Sequence, residues 1–81
     1  MQIIKYASKN CVKCKVLDRI LSQIKLPCEV QTIYAEDNAE ELQKLNIELL
    51  PTLRIINQDK EDYLEGIISP KQIIDSISRL S

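Results

Sequence analysis

The fold is decided by residues 2–24, QIIKYASKNCVKCKVLDRILSQI, in which a strand pattern passes through two cysteines into a helix pattern. Residues 2–7 are mostly apolar with weak alternation, which predicts a central strand covered on both faces. Pro27 closes the helix that follows, because proline lacks the backbone N–H that a helix interior requires. The apolar side chains of this helix form one stripe, made of Val12, Val16, Leu17, Ile20, Leu21 and Ile24.

Cys11 and Cys14 lie where the first strand passes into this helix, and that position favours a redox role. A helix N-terminus presents unpaired N–H groups and the positive end of the helix dipole, both of which stabilise a thiolate. We therefore expect Cys11 to be the nucleophile. Lys13, flanked by Lys9 and Lys15, favours the same anion. Cys14 lies one turn further on, where it can close a short disulfide as the resolving thiol.

Other uses of the pair are compatible with the same spacing. Copper-carrying ferredoxin-like domains also have a Cys-x-x-Cys after a first strand, and a soft metal accepts two thiolates. That fold requires a β-hairpin after the first helix–strand pair. A redox-sensing adaptor is a further alternative. Structural zinc needs four ligands, whereas the chain has three cysteines and no histidine, so we expect no zinc.

The rest of the chain predicts two more helices and three more strands. Residues 28–34 have a strand pattern, and Asp37 is placed to cap a second helix, with Glu40 as its capping-box partner. The inward residues of that helix are expected to be Ala39, Leu42 and Leu45. Residues 52–57 and 61–65 form a hairpin about a polar turn at 58–60.

Ser69, Pro70 and Gln72 have the order expected of a cap, a first-turn proline and a capping-box partner, and the last helix runs to Leu80. The expected buried side chains of this helix are Ile73, Ile74, Ile77 and Leu80. The order β-α-β-α-β-β-α predicts an α/β fold in one domain, residues 1–81. Its sheet has four mixed strands and helices on both faces, and the first β-α-β crosses over right-handed.

Composition narrows the function classes. The net charge is -1, but residues 1–25 carry six cations against Asp18 alone. These cations are spread along the chain with only Tyr6 among them, which is not typical of a nucleic-acid surface. We expect the protein to be a monomer. No apolar run has the length of a membrane span or the form of a signal peptide, so we also expect it to be cytoplasmic. In that compartment a close cysteine pair indicates catalysis or metal binding, whereas the lone Cys28 is expected to be a small buried residue.

The sequence resembles the thioredoxin and glutaredoxin superfamily over nearly its whole length. Three features carry the resemblance: the strand–Cys11-Val12-Lys13-Cys14–helix unit, the segment Leu50-Pro51-Thr52 entering the third strand, and Gly66 before a capped last helix. The resemblance implies a thioredoxin-like fold and a dithiol–disulfide oxidoreductase with no bound cofactor. It also implies that Leu50, Pro51 and Thr52 form a cis-proline segment that binds substrate, by strand addition, opposite the cysteines.

The sequence departs from the family pattern at positions that affect which substrates and which electron donor are expected. Glutaredoxins usually have a second glycine and an acidic residue where this chain has Ile67 and Ile68. The resemblance therefore implies oxidised protein substrates and a flavoprotein reductase of the thioredoxin-reductase type, rather than glutathione. Lys5 lies where thioredoxins carry a buried carboxylate, six residues before the first cysteine. We expect Lys5 to support the Cys11 thiolate, whether it is buried or its ammonium snorkels to an edge.

Overall fold

A computed structural model describes all 81 residues. Its elements follow the predicted order: β1 (Gln2–Ala7), α1 (Val12–Gln23), β2 (Val30–Tyr34), α2 (Ala39–Lys44), β3 (Thr52–Asn57), β4 (Lys60–Glu65) and α3 (Pro70–Leu80). The strands form one sheet in the order β2-β1-β3-β4. β1 is parallel to β2 and antiparallel to β3, and β4 is antiparallel to β3. This mixed four-stranded sheet confirms the predicted fold class.

The two faces of the sheet bury separate clusters, because successive side chains of a strand point to opposite faces. Tyr6 and Ile4 of β1 pack with Leu42 of α2 on one face. The other face packs against α1 and α3, which places helices on both faces as predicted. Its cluster consists of Ile3, Leu17, Leu21, Leu53, Ile55, Ile68, Ile73 and Leu80. β1 is buried from Ile3 to Ala7, as expected of a central strand.

The start of α3 has the predicted capping box. The Ser69 hydroxyl accepts a hydrogen bond from the N–H of Gln72, and the Gln72 side chain accepts one from the N–H of Ser69. Further along, the buried Ser76 hydroxyl donates to Asp62 Oδ2 at 2.7 Å, which links α3 to β4. None of the helices has the length and apolar character needed to span a membrane.

The start of α2 differs from the prediction. Asn38, not Asp37, is the N-cap residue, and its side chain caps no helical N–H. Its amide donates instead to the carbonyl oxygen of Tyr34 at 3.1 Å, which fastens the turn before α2 to the end of β2. Asp37 is turned toward the loop after β1, where its carboxylate pairs with Lys9. The capping-box prediction for Asp37 and Glu40 is therefore wrong.

Some element bounds also differ from the prediction. β2 begins at Val30 rather than at residue 28, because its pairing with β1 begins at Ile3 and Val30. α1 ends at Gln23, one residue earlier than expected. β4 begins at Lys60, which pairs with Asn57 across a two-residue turn. The first of these turn residues, Gln58, has a φ of 60°.

Several apolar side chains predicted to be buried are exposed. Val12 and Val16 are 77% and 50% exposed, since Cys14, Leu17 and Leu21 are the buried residues of α1. Ile74 is 52% exposed, although Ile73 beside it is fully buried. Consecutive helical residues point about 100° apart, so only one of two neighbours can face the sheet. In α2, Ala39 was expected to be buried but is exposed.

Candidate active site

The strand directions bring four loops to one end of the sheet. Tyr6, near the end of β1, pairs with Thr52 at the start of β3, and Thr52 pairs with Glu65 at the end of β4. Ala7 pairs in parallel with Tyr34 at the end of β2. The segments that follow β1, β2 and β4 therefore meet the segment that enters β3. Cys11, Pro51 and Gly66 all lie in these segments or border them.

The cysteine pair is joined as a disulfide at the start of α1. The Cα atoms of Cys11 and Cys14 are 5.2 Å apart, within the range that a disulfide spans. Cys11 is the N-cap residue, and its sulfur accepts a hydrogen bond from the N–H of Cys14 at 3.1 Å. No acidic side chain lies in the first turn of α1. This position supplies N–H groups and the positive dipole end to the Cys11 sulfur.

The two sulfurs differ in access. Cys14 is only 3% exposed, whereas Cys11 is partly exposed. The arrangement suits an outer thiol that meets another molecule and an inner thiol that reacts only with the outer one. Cys28, the third cysteine, lies apart from the pair, partly buried against the cluster under α1 and α3.

The loop before Cys11 is fastened to the loop after β2. Glu36 accepts hydrogen bonds from the backbone N–H of Lys9 at 2.9 Å and from the Ser8 hydroxyl at 3.0 Å. The pKa of Glu36 is held below its usual value, first by the N–H of Lys9 and then by its own backbone N–H. The Lys9 ammonium also forms an ion pair with the Asp37 carboxylate at 3.3 Å. This anchor was not predicted from the sequence, since Glu36 lies 27 and 28 residues from its two partners.

The segment entering β3 lies at the same end of the sheet, with most of its surface enclosed. The Leu50–Pro51 peptide bond is cis. Pro51 is buried, and its carbonyl oxygen accepts a hydrogen bond from Gly66 N–H at 2.9 Å. Thr52 is buried too, with its hydroxyl donating to the carbonyl oxygen of Leu49 at 2.6 Å. Leu50 packs partly against the cluster under α2, while Leu49 is 56% exposed.

An apolar groove runs beside the cysteine pair, between α1 and the segment that joins β4 to α3. It has a volume of about 260 Å³ and is lined by Val12, Lys13, Val16, Leu17, Ile20, Gly66, Ile67 and Ile68. Two of the side chains that line it are largely exposed to solvent: Ile67 is 83% exposed and Val12 is 77% exposed. We call this feature the α1 groove. The groove was not predicted from the sequence, because the apolar residues of α1 were assigned to a single stripe.

Lys5 has a charged partner that was not predicted from the sequence. Its side chain is 8% exposed, and its ammonium donates to Asp18 on α1. Asp18 is the only acidic residue among residues 1–25. The buried ammonium of β1 is therefore compensated by a carboxylate from the neighbouring helix. Lys13, the other residue expected to favour the thiolate, is exposed on the first turn of α1.

The topology differs from the one that the copper-binding alternative requires. No group of three or more His, Cys, Asp or Glu side chains converges on one point. A helix, α2, lies where the copper-binding alternative requires a β-hairpin. The topology is therefore not the ferredoxin-like one on which that alternative depends.

Solved structures similar to this chain are mostly thioredoxins. Chloroplastic thioredoxin z matches with a TM-score of 0.81 and 26% sequence identity, covering 98% of this chain and 76% of that chain. Thioredoxin from Fasciola hepatica matches with a TM-score of 0.81 and 19% identity, covering 98% of this chain and 79% of that chain. The chain has a thioredoxin-like fold. This finding confirms the superfamily resemblance, although no family model and no curated protein sequence matches the chain.

The thioredoxin-like fold alone does not fix an activity. The N-terminal domain of Synechococcus elongatus SasA has a similar structure, with a TM-score of 0.79 and 13% identity, covering 98% of this chain and 80% of that chain. Function is therefore argued from the site. Together with the thioredoxin neighbours, the paired Cys11 and Cys14 support a redox function for this thioredoxin-like chain.

Proposed function

We propose that the chain is a dithiol–disulfide oxidoreductase that reduces disulfides in other proteins. The observation that carries the proposal is the unequal access of the two sulfurs: Cys11 is partly exposed at the start of α1, and Cys14 is 3% exposed. In the reduced form, the Cys11 thiolate attacks a substrate disulfide and forms a mixed disulfide with one substrate sulfur. Cys14 then attacks the sulfur of Cys11 and releases the reduced substrate.

Protein substrates fit the surface around the pair better than small thiols do. The α1 groove offers exposed aliphatic side chains next to Cys11, which suit an apolar side chain near the substrate's disulfide. The neighbouring Leu50-Pro51-Thr52 segment is proposed to meet the substrate through its backbone, because the side chains of Pro51 and Thr52 are enclosed.

The proposed electron donor is a flavoprotein reductase of the thioredoxin-reductase type. Glutathione is the less suitable donor, since Ile67 and Ile68 occupy the positions at which glutaredoxins usually carry a second glycine and an acidic residue. The two donors are compared by supplying the oxidised protein with NADPH and thioredoxin reductase, or with glutathione and glutathione reductase, and following NADPH consumption. Faster turnover with glutathione would contradict this part of the proposal.

The activity itself is tested with a disulfide-linked fluorescent peptide and dithiothreitol as reductant. We expect turnover by the natural chain and none by Cys11→Ser. Cys14→Ser is expected to accumulate a mixed disulfide, visible as the added mass of the substrate. Cys28→Ser is the matched control and should retain activity, because Cys28 lies apart from the pair. No turnover by the natural chain would instead favour an adaptor that only senses redox state.

A further inference from the structure

The two edge strands of the sheet differ in charge. β2 forms one edge, and its five residues, Val30–Tyr34, carry no charge. β4 forms the other edge and carries several charged side chains: Lys60, Glu61, Asp62 and Glu65. Charged side chains are a common means by which proteins keep an edge strand from pairing with another chain. β2 lacks that protection.

The free backbone groups of β2 belong to alternate residues. Successive residues of a strand direct their N–H and C=O groups to opposite sides. The Ala35 N–H, just after β2, donates to the carbonyl oxygen of Ala7 at 2.8 Å, so Gln31 and Ile33 direct their backbone groups to β1 as well. The other residues of β2 direct theirs to the open edge: Val30, Thr32 and Tyr34.

This edge is open to a further strand. Thr32 is exposed, and Tyr34 is 39% exposed. The Tyr34 carbonyl oxygen accepts hydrogen bonds from the N–H of Asp37 and from the Asn38 amide, both at 3.1 Å. The outward backbone groups of Val30 and Thr32 have no partner within the chain, because β1 is the only neighbour of β2.

The sequence of β2 is complementary to itself. In an antiparallel pair about a twofold axis at Thr32, each Thr32 lies opposite Thr32 of the second copy, and Val30 lies opposite Tyr34. Two opposite threonines can form a hydrogen bond, and an aromatic ring packs well against a β-branched side chain. A second copy of the chain therefore supplies a strand that fits this edge.

Like charges do not meet along this pairing. Glu29, just before β2, lies opposite Ala35 of the second copy when the same register is continued. Glu36, just after β2, is held within its own copy by the backbone N–H of Lys9. The register about Thr32 is thus free of the repulsion that charged residues would cause in a symmetric contact.

We propose that two copies of this chain associate through β2, as an antiparallel pair about a twofold axis at Thr32. The two four-stranded sheets then form one sheet of eight strands. The Thr32 N–H of each copy donates to the Thr32 carbonyl oxygen of the other, and the Tyr34 N–H donates to the carbonyl oxygen of Val30. The contact is short, so the dimer is weak and forms as the concentration rises. This dimer replaces the monomer expected from the sequence.

The oligomeric state is measured by sedimentation equilibrium from about 10 µM to about 1 mM, with dithiothreitol present to exclude disulfide-linked species. We expect the average mass to rise above the 9.3 kDa of one chain across this range. Amide hydrogen exchange locates the contact. The N–H groups of Thr32 and Tyr34 should exchange several-fold more slowly at the highest concentration than at the lowest, whereas those of Gln31 and Ile33 should change little.

Charges placed at the twofold axis test the pairing directly. Thr32→Lys and Thr32→Asp each bring two like charges together and should remain monomers up to about 1 mM. An equal mixture of the two variants should dimerise, because opposite charges then meet at the axis, and this result also shows that both variants are folded. Asp59→Lys, in the turn between β3 and β4, is the control and should dimerise as the natural chain does.

Two results would contradict the β2 dimer. The mass of a single chain at every concentration would overturn it and leave an extended segment of another protein as the occupant of this edge. A dimer that persists in both Thr32 variants, or slower exchange confined to residues outside β2, would place the contact elsewhere and overturn it too. The cysteine pair takes no part in the β2 contact, so neither result bears on the proposed function.

Discussion

Lys5 occupies a position where thioredoxins carry a carboxylate, and in this chain Asp18 provides a negative charge from the facing helix. A buried ammonium without a partner would cost several kcal/mol, so the pairing explains how the strand tolerates a lysine. The positive charge of Lys5 is thus balanced by the negative charge of Asp18. Removing either member leaves the other uncompensated, and the sign of the remaining charge decides the effect on the thiols.

The first prediction concerns Lys5→Met, which keeps much of the apolar stem and removes the charge. The Asp18 carboxylate then remains without its cation, and a negative charge near the pair disfavours a thiolate. We expect the pKa of Cys11 to rise and its reaction with iodoacetamide at neutral pH to slow. Thiolate absorbance followed against pH measures the pKa. Lys25→Met, an exposed change beyond the end of α1, serves as the control. A Cys11 pKa that stays the same or falls would contradict the expected role of Lys5.

Glu36 provides a second prediction, about pH. Its pKa is lowered in the folded protein by hydrogen bonds, chiefly from the backbone N–H of Lys9. A lowered folded pKa adds stability that is fully present above the ordinary pKa of a glutamate and is lost as pH falls through the folded value. We expect Glu36→Gln to unfold more easily than the natural chain at pH 7 and this difference to be smaller at about pH 3, because the glutamate of the unfolded chain takes up a proton below about pH 4 whereas the folded chain does so only at a lower pH. Urea unfolding at both pH values measures the difference, with Glu48→Gln as the exposed control.

At the scale of elements, α3 shows how narrow the buried side of a helix is. Ile73 and Leu80 are buried together with Ser76, a polar residue that the apolar pattern does not select. Ser76 is accepted inside because its hydroxyl donates to Asp62 on β4. Ile74 belongs to the same apolar run and faces solvent. The helix is therefore held by one contact line and by polar links to the sheet, since Ser76 and Arg79 donate to Asp62 and the Asn57 amide donates to the carbonyl oxygen of Leu80.

The third prediction compares two neighbouring residues of α3 with the same substitution. Ile73→Ala removes a fully buried side chain and should lower the free energy of unfolding by about 2–5 kcal/mol. Ile74→Ala is the matched control, because Ile74 is 52% exposed; its effect should be within about 1 kcal/mol. Chemical denaturation of both variants measures the difference. Equal destabilisation by the two substitutions would show that the contact line of α3 is wrongly placed.

The elements that were predicted correctly depend on neighbours in the sequence. The strand–cysteine–helix unit and the capping box of Ser69 and Gln72 are set by residues within one or two turns. The contacts that were missed depend on how distant elements pack. Asp18 lies 13 residues from Lys5, and Glu36 lies 27 residues from Lys9. A local sequence pattern shows what kind of contact each side chain can make, but it does not show which distant residue that side chain contacts.

At the scale of the whole molecule, the sheet order places the chemistry and the apolar surface together. The sheet, the cysteine turn and the segment before β3 are all contained in these 81 residues, 98% of which match thioredoxin z. Beside the cysteine pair, α1 and the segment after Gly66 leave the α1 groove open. Exposed aliphatic side chains are costly to keep in water, and in the proposed function those next to the disulfide form the surface that meets the substrate.

The last prediction tests this surface with Ile67→Ser and Val12→Ser. If an apolar substrate side chain enters the α1 groove, each substitution removes part of its contact area and should lower kcat/KM for a protein disulfide about threefold to tenfold. The loss should appear mainly in KM, because the contact is made before and during the reaction alike. Reduction of 5,5′-dithiobis(2-nitrobenzoate), which is too small to need the groove, should keep its rate. Ile74→Ser removes another exposed isoleucine, which does not line the groove, and should change neither reaction. A matching loss with the small disulfide would show that the substitutions disturb the cysteines themselves, and unchanged kinetics with the protein would show that substrates dock elsewhere.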